Sequence, residues 1–216
     1  MIFSAEIWAY LGITALLTVT PGSDVMLVIR NALSGGQLAG MRTTLGICMG
    51  LVVHAILSAA GVSLILMQSA VAFAAVKFLG AIYLMFLGGQ SLWKARDNVQ
   101  VQVEETGMFG VPGKDRRFFI EGFLTNLFNP KVAVFYLAFL PQFIDPGNAV
   151  LAKSLILGGI HIGMSFLWLL LLTALMGKLQ HFFARPGWQQ SLQTVSGLVL
   201  IGLGIRLALE QGRGLM

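Results

Sequence analysis

Two charged residues stand just past prolines in stretches that are otherwise uncharged and apolar. Asp24 closes the run Thr18-Val19-Thr20-Pro21-Gly22-Ser23-Asp24, and Lys131 closes Thr125-Asn126-Leu127-Phe128-Asn129-Pro130-Lys131. A charge at mid-depth in a bilayer costs about 2.5–3.5 kcal/mol on insertion scales, so such residues pair, line a path or relay protons. An anionic and a cationic group together suit a zwitterion. Asp24 is placed to receive an ammonium and to carry a coupling proton. Lys131, with the amides of Asn126 and Asn129 three residues apart on one helix face, is placed to receive a carboxylate. A plainer reading makes Asp24 and Lys131 each other's salt-bridge partner.

The prolines give the charges their setting. Proline removes one N–H and clashes with the preceding turn, which frees backbone carbonyls. In hydrocarbon those carbonyls must bond to protein or line a wet cavity. Half-helix ends at mid-depth also offer opposite partial charges, N–H ends for anions and C=O ends for cations. Pro21 with Gly22, and Pro130, are therefore read as helix breaks that build a site, although a proline alone is compatible with a simple kink.

Other polar residues admit two readings each. His54 ends a Gly46-x-x-x-Gly50-x-x-x-His54 stripe whose glycines suit a close helix crossing. His54 and His161 are either buried donors to neighbouring groups or cavity residues. Asp24, His54 and His161 together would make a metal exporter's oxygen and nitrogen ligands, but no cysteine cluster or acidic partner accompanies either histidine, and no metal site is expected. Ser23 beside Asp24, and Ser165 one turn from His161, would be the nucleophiles of an embedded enzyme, but neither has a third group to orient a base. No catalytic residue and no cofactor is expected, the proton serving as coupling ion. Trp8, Tyr10, Trp93, Trp168 and Trp188 read as interface anchors. Glu6, Glu121 and Arg206 lie near span ends, where snorkelling suffices.

The elements that hold these residues follow from composition. Of 216 residues, 11% are charged and 56% hydrophobic, against about 25% charged in soluble domains. With 26 glycines and a mean hydropathy of +0.82, a cytosolic enzyme, a disordered chain and a secreted disulfide scaffold are excluded. Uncharged runs cover residues 43–76, 154–177, 186–205, 7–23 and 78–93. They are continuous rather than alternating, so helices, not barrel strands, cross the bilayer. The expected fold is all-α, a polytopic bundle of six spans: Ile7–Leu33 broken near Pro21, Gly40–Met67, Ala70–Lys94, Phe118–Phe143 broken near Pro130, Leu151–Phe183 and Gln190–Leu209. The N-terminal residues carry no positive region, and no cleaved leader is expected. The single cysteine, Cys48, allows no disulfide within one chain.

The two halves echo each other. Each opens on a broken span; His54 follows Pro21 by 33 residues and His161 follows Pro130 by 31. The third spans share glycine-spaced patterns, Gly80–Gly88 and Gly197–Gly204. Three spans per half is odd, so residues 1–94 and 118–216 are expected as two inverted three-helix repeats joined by a connector at 95–117. Nine basic residues (Arg30, Arg42, Lys94, Arg96, Lys114, Arg116, Arg117, Lys178, Arg185) fall on one side and four (Lys77, Lys153, Arg206, Arg213) on the other. That imbalance predicts both termini outside and the connector cytoplasmic. Basic loops facing an anionic leaflet account for the basic balance without nucleic acid. The oligomeric state stays open, a homodimer included.

Pro21-Gly22-Ser23-Asp24 followed by Arg30-Asn31-Ala32-Leu33-Ser34-Gly35-Gly36, and Asn129-Pro130-Lys131 followed by Pro141-Gln142-Phe143, resemble the two signatures of the LysE/RhtB family of amino-acid exporters. Ser23 stands where that family usually has a second proline, which softens the first break. The resemblance spans nearly the whole chain. It implies export of small amino acids or derivatives, such as homoserine, threonine, homoserine lactone, leucine or lysine, across the bacterial inner membrane, driven by proton antiport.

Overall fold

The computed structural model describes residues 5–68, 70–96, 114–144, 149–183 and 186–209. Most of the expected connector, residues 97–113, lies outside them, as do Arg185 and Arg213, and the side chains of Lys178 and Trp188 are not described. The described residues are helical, with no strand among them: α1 (Ala5–Val19), α2 (Ser23–Gln68), α3 (Ala70–Arg96), α4 (Lys114–Leu127), α5 (Pro130–Val134), α6 (Val150–Phe183) and α7 (Pro186–Leu209). Between α5 and α6 the chain continues as a π turn, Phe135–Phe139, and a 3-10 turn, Leu140–Phe143.

Three stretches are long and apolar enough to cross a membrane: Ser23–Gly61, Ala74–Arg96 and Val150–Met176. A fourth is Arg116–Leu127 with Pro130–Phe143, bent by 47°. Glu6–Val19 and Gln193–Leu209 are apolar but shorter. The boundary expected between Leu33 and Gly40 is not a loop. Helix α2 runs through it, interrupted at Gly36 alone, whose φ of 78° and ψ of −178° fall where glycine is nearly the only tenant. One residue in that conformation redirects a helix without a connecting segment.

Helix α2 packs on α4 and α6, and α3 packs on α7. Small residues set both close approaches. A Cβ on Gly46 would collide with the Phe119 carbonyl oxygen of α4, so the glycine stripe is a crossing, as expected. A Cβ on Gly88 would stand 2.6 Å from the Gly197 carbonyl oxygen, which brings the two echoing spans together. One core cluster gathers Tyr10, Leu51, Ala81, Phe135, Phe139 and Leu207; a second gathers Val28, Ile47, Leu169 and Met176. Outward faces carry bare apolar side chains, among them Leu57, Phe78, Leu79 and Phe86. In water such a surface would aggregate; lipid solvates it.

Trp8 and Trp93 are exposed, as interface anchors would be. Tyr10 is not. It is fully buried, and its hydroxyl donates to the Leu157 carbonyl at 2.7 Å, tying α1 to α6. A tyrosine near a helix start reads as an anchor only until a partner for its hydroxyl is found across the bundle.

Candidate functional site

Thr20 precedes Pro21 and so leaves the helical region, which ends α1 at Val19. Its hydroxyl turns back to the Leu16 carbonyl at 2.5 Å. The carbonyls released at this end point at Lys131, whose Nζ donates to Thr20 O at 3.2 Å and to Leu17 O at 3.4 Å. A helix carbonyl end carries partial negative charge, so an ammonium suits it. Gly22 leaves the room: a Cβ there would stand 3.1 Å from Lys131 Nζ. The Pro21 carbonyl accepts from Ser196 Oγ of α7 at 2.9 Å. The second break mirrors this chemistry. Asn129 caps α5, its Oδ1 accepting from the Lys131 N–H at 3.1 Å, with Pro130 in the first turn where its missing N–H costs nothing.

Asp24 lies in the first turn of α2, at the N–H end of the helix. Its Oδ2 accepts from Asn126 Nδ2 at 2.8 Å and its Oδ1 from Ser23 Oγ at 3.5 Å. Asn129 also faces this carboxylate, although its buried Nδ2 completes no hydrogen bond. Asp24 and Lys131 sense each other's charge without closing to an ion pair, whereas Glu121 forms direct pairs with Arg30 and Arg117. Their charges are therefore held apart by separate partners.

Both line one cavity of about 30 Å³, with Thr18, His161 and Ser165 as its other polar residues and Leu17, Leu51, Val132 and Leu169 among its apolar ones. That space admits about two waters, so a larger ligand must part the helices to enter. Of the residues singled out from sequence, Asp24, Lys131 and His161 line this cavity, and Asn126 lies beside it on Asp24. Asn126 gives one of its two amide hydrogens to Asp24, and its buried, unpartnered Oδ1 faces Gly50 of α2.

The histidines bracket Tyr136. His54 Nε2 lies 3.2 Å from the Asn126 carbonyl oxygen, and its ring stacks on Tyr136 at 5.8 Å. His161 Nδ1 lies 3.2 Å from the Tyr136 hydroxyl. His54 is thus a buried neighbour of a carbonyl, whereas His161 reaches the cavity. Among the described residues no three His, Cys, Asp or Glu side chains gather as metal ligands would.

Sequence reasoning missed a second polar cluster. Glu121 does not snorkel: it is buried, and its carboxylate accepts from Arg30 Nη2 at 2.8 Å, Arg117 Nε at 2.7 Å and Asn31 Nδ2 at 3.2 Å. Asn31 also donates to Thr43 Oγ1 at 3.0 Å. The available signal was the placement of Arg30, six residues after Asp24 and still inside an apolar segment, with no local acid to pair it.

Comparison with known proteins accords with this geometry. The family model described as LysE type translocator matches residues 15–211. An uncharacterized membrane protein of Bacillus subtilis, YrhP, is 31% identical over 94% of this chain and 98% of its own length. The homoserine/homoserine lactone efflux protein of Salmonella typhi is 30% identical over 94% and 96%. The leucine efflux protein of Salmonella choleraesuis is 29% identical over 94% and 95%. No solved structure matches. A chain matched by that model over nearly all its length, with both broken helices meeting at one cavity, belongs to the LysE-type translocators, a family of transporters rather than enzymes.

Proposed function

We propose that this protein exports small amino acids or their derivatives, of the homoserine, threonine or leucine kind, from the cytoplasm across the bacterial inner membrane by proton antiport. The observation that carries the reading is the shared cavity, where an anionic and a cationic side chain stand at two helix breaks with separate partners. The efflux proteins that the chain is similar to supply the substrate class.

In this reading the chain crosses the membrane six times, as two inverted three-helix repeats with both termini outside and the connector cytoplasmic. Supporting it are the paired breaks, the closely packed third helices α3 and α7, and the excess of basic residues on one side. Rocking of one repeat against the other exposes the cavity alternately to either face. The substrate's ammonium docks on Asp24, and its carboxylate near Lys131 and the amides of Asn126 and Asn129. Protonation of Asp24 from outside weakens the ammonium contact and releases the substrate; the returning carrier delivers the proton inward.

One pH unit supplies about 1.4 kcal/mol, and the membrane potential about 2.3 kcal/mol per charge per 100 mV. Together they sustain a gradient of roughly several hundredfold for a net-neutral substrate. The test is efflux from proteoliposomes with an imposed proton gradient. Asp24→Asn keeps the shape and a hydrogen bond to Asn126, so it inserts normally but loses concentrative transport. Full uphill efflux by that variant overturns the coupling role.

A further inference from the structure

Tyr136 sits fully buried in the π turn, and its hydroxyl has one hydrogen-bond partner among the described residues, Nδ1 of His161 at 3.2 Å. A buried O–H needs an acceptor, and leaving its hydrogen unmatched carries the full desolvation penalty. Tyr136 must therefore donate and Nδ1 accept. An imidazolium, or a ring protonated on Nδ1, would instead donate to the phenol oxygen and strand the phenol hydrogen in the core. The neutral ring that remains carries its hydrogen on Nε2.

The ring has little freedom to turn. It lies edge-to-face with Phe135 at 4.7 Å and tilted on Tyr136 at 5.5 Å. Its Nε2 makes no hydrogen bond within the described residues, and it is not among their sealed polar atoms lacking a partner. His161 lines the cavity that holds Asp24 and Lys131. Nε2–H is thus a fixed donor presented to that cavity from α6, while Lys131 enters it from α5.

We propose that His161 is a specificity-determining residue: Tyr136 locks it as the Nε2–H tautomer, and this N–H binds the substrate's carboxylate beside Lys131. The inference rests on the reading of the cavity as an amino-acid site. An N–H directed at the ligand repels an ammonium and attracts an anion, so it sets the orientation of the zwitterion. The ammonium lies toward Asp24 and the carboxylate toward His161. It also selects a free carboxylate over a neutral ester, because hydrogen bonds to ionised acceptors are roughly twice as strong as those to neutral ones.

Two measurements test this. The first is the nitrogen-15 NMR spectrum of histidine-labelled protein in nanodiscs, with His161→Gln used to assign the signal. Wild type shows His161 as the Nε2–H tautomer, and Tyr136→Phe shifts it toward a mixture. A wild-type ring protonated on Nδ1 overturns the proposal. The second is competition between an exported amino acid and its methyl ester in proteoliposomes. His161→Phe lowers the acid-to-ester preference about ten- to hundredfold, and His161→Gln, which restores an N–H donor, retains most of it. An unchanged preference in His161→Phe overturns the proposal. If His161→Phe does not fold, the wild-type tautomer and the His161→Gln preference still decide. The tautomer is read without transport, so its failure is distinguishable from failure of the amino-acid reading, which an absence of amino-acid efflux from wild-type proteoliposomes would signal.

Discussion

Arg30 and Glu121, 91 residues apart in the chain, meet at 2.8 Å and join the first half of α2 to α4. Asp24 and Asn126 join the same two segments at 2.8 Å. Residue number rises along α2 from Asp24 to Arg30 while it falls along α4 from Asn126 to Glu121, so the segments run antiparallel with two polar rungs. The rung at Asp24 borders the cavity. The rung at Glu121 carries no cavity residue and holds the frame on which Asp24 and Asn126 are aligned.

Glu121 sets the first prediction. Removing one partner of a buried pair costs about 3–5 kcal/mol, an upper bound here because Arg117 and Asn31 remain on Glu121 and Arg30 is partly exposed. Glu121→Gln and Arg30→Gln each lower the midpoint of thermal unfolding in detergent, and Arg30→Gln combined with Glu121→Gln loses less than the sum. Arg117 is 45% exposed, where an ion pair contributes little, so Arg117→Gln leaves the midpoint nearly unchanged. Additive losses at Arg30 and Glu121 would show that the two residues do not act as a pair.

Gly36 separates backbone strain from packing. Nothing lies within 4 Å of a Cβ built there, yet its φ is +78°. Gly36→Ala therefore destabilises by about 1–3 kcal/mol through conformation alone. Gly12, in α1, also has open space around it and carries no unusual φ. There alanine stabilises by about 0.5–1 kcal/mol, because glycine is a poor helix former. Opposite signs in unfolding midpoints are the expected outcome, and equal effects would mean that α2 does not turn at Gly36.

Much of this was legible in the sequence because it depends on residue type at fixed spacing. The all-helical fold follows from long uncharged runs, the breaks from Pro21 and Pro130, and a close helix crossing, though not its partner α4, from Gly46 and Gly50. The Asp24–Lys131 neighbourhood follows from two costly charges that share a need for polar company. What stayed hidden depends on which atoms meet across the bundle. An asparagine offers two N–H donors and an acceptor, and only contacts across the bundle show that Asn126 donates to Asp24 and turns its Oδ1 toward Gly50. Glu121 near a span end reads like any snorkelling acid until Arg30, Asn31 and Arg117 are found around it. Tyr10 and Tyr136 look like ordinary aromatics because the partners of their hydroxyls lie on α6, 147 and 25 residues away.

Gly46 tests the crossing. Its missing Cβ lets the Phe119 carbonyl of α4 lie directly against α2, and backbone cannot move aside as a side chain can. Gly46→Ala forces α4 outward and costs about 1–3 kcal/mol or more, carrying Asn126 away from Asp24. Both the unfolding midpoint and the apparent affinity for substrate fall. Gly61→Ala, with open space on the same helix, leaves the affinity unchanged and does not lower the midpoint, raising it slightly as at Gly12. A Gly46→Ala protein with unaltered midpoint would mean that α2 and α4 are not in backbone contact.

Lys131 bears on the site itself. Its ammonium holds the carbonyls of Leu17 and Thr20 at the end of α1 and lines the cavity opposite Asp24. Lys131→Met keeps the stem and removes the charge. Losing a hydrogen bond to an ionised carboxylate raises the apparent KM for efflux about ten- to hundredfold. Lys131→Arg keeps the charge, but the planar fork is wider than the ammonium that fits beside Gly22, where even a Cβ would lie 3.1 Å from Nζ. Its KM is therefore also raised, by less than in Lys131→Met. The measurement is the concentration dependence of efflux from proteoliposomes loaded with equal amounts of each variant, with insertion checked by protease protection. Should Lys131→Met export with the wild-type KM, the ammonium serves only to cap α1, and the carboxylate must be bound by other donors.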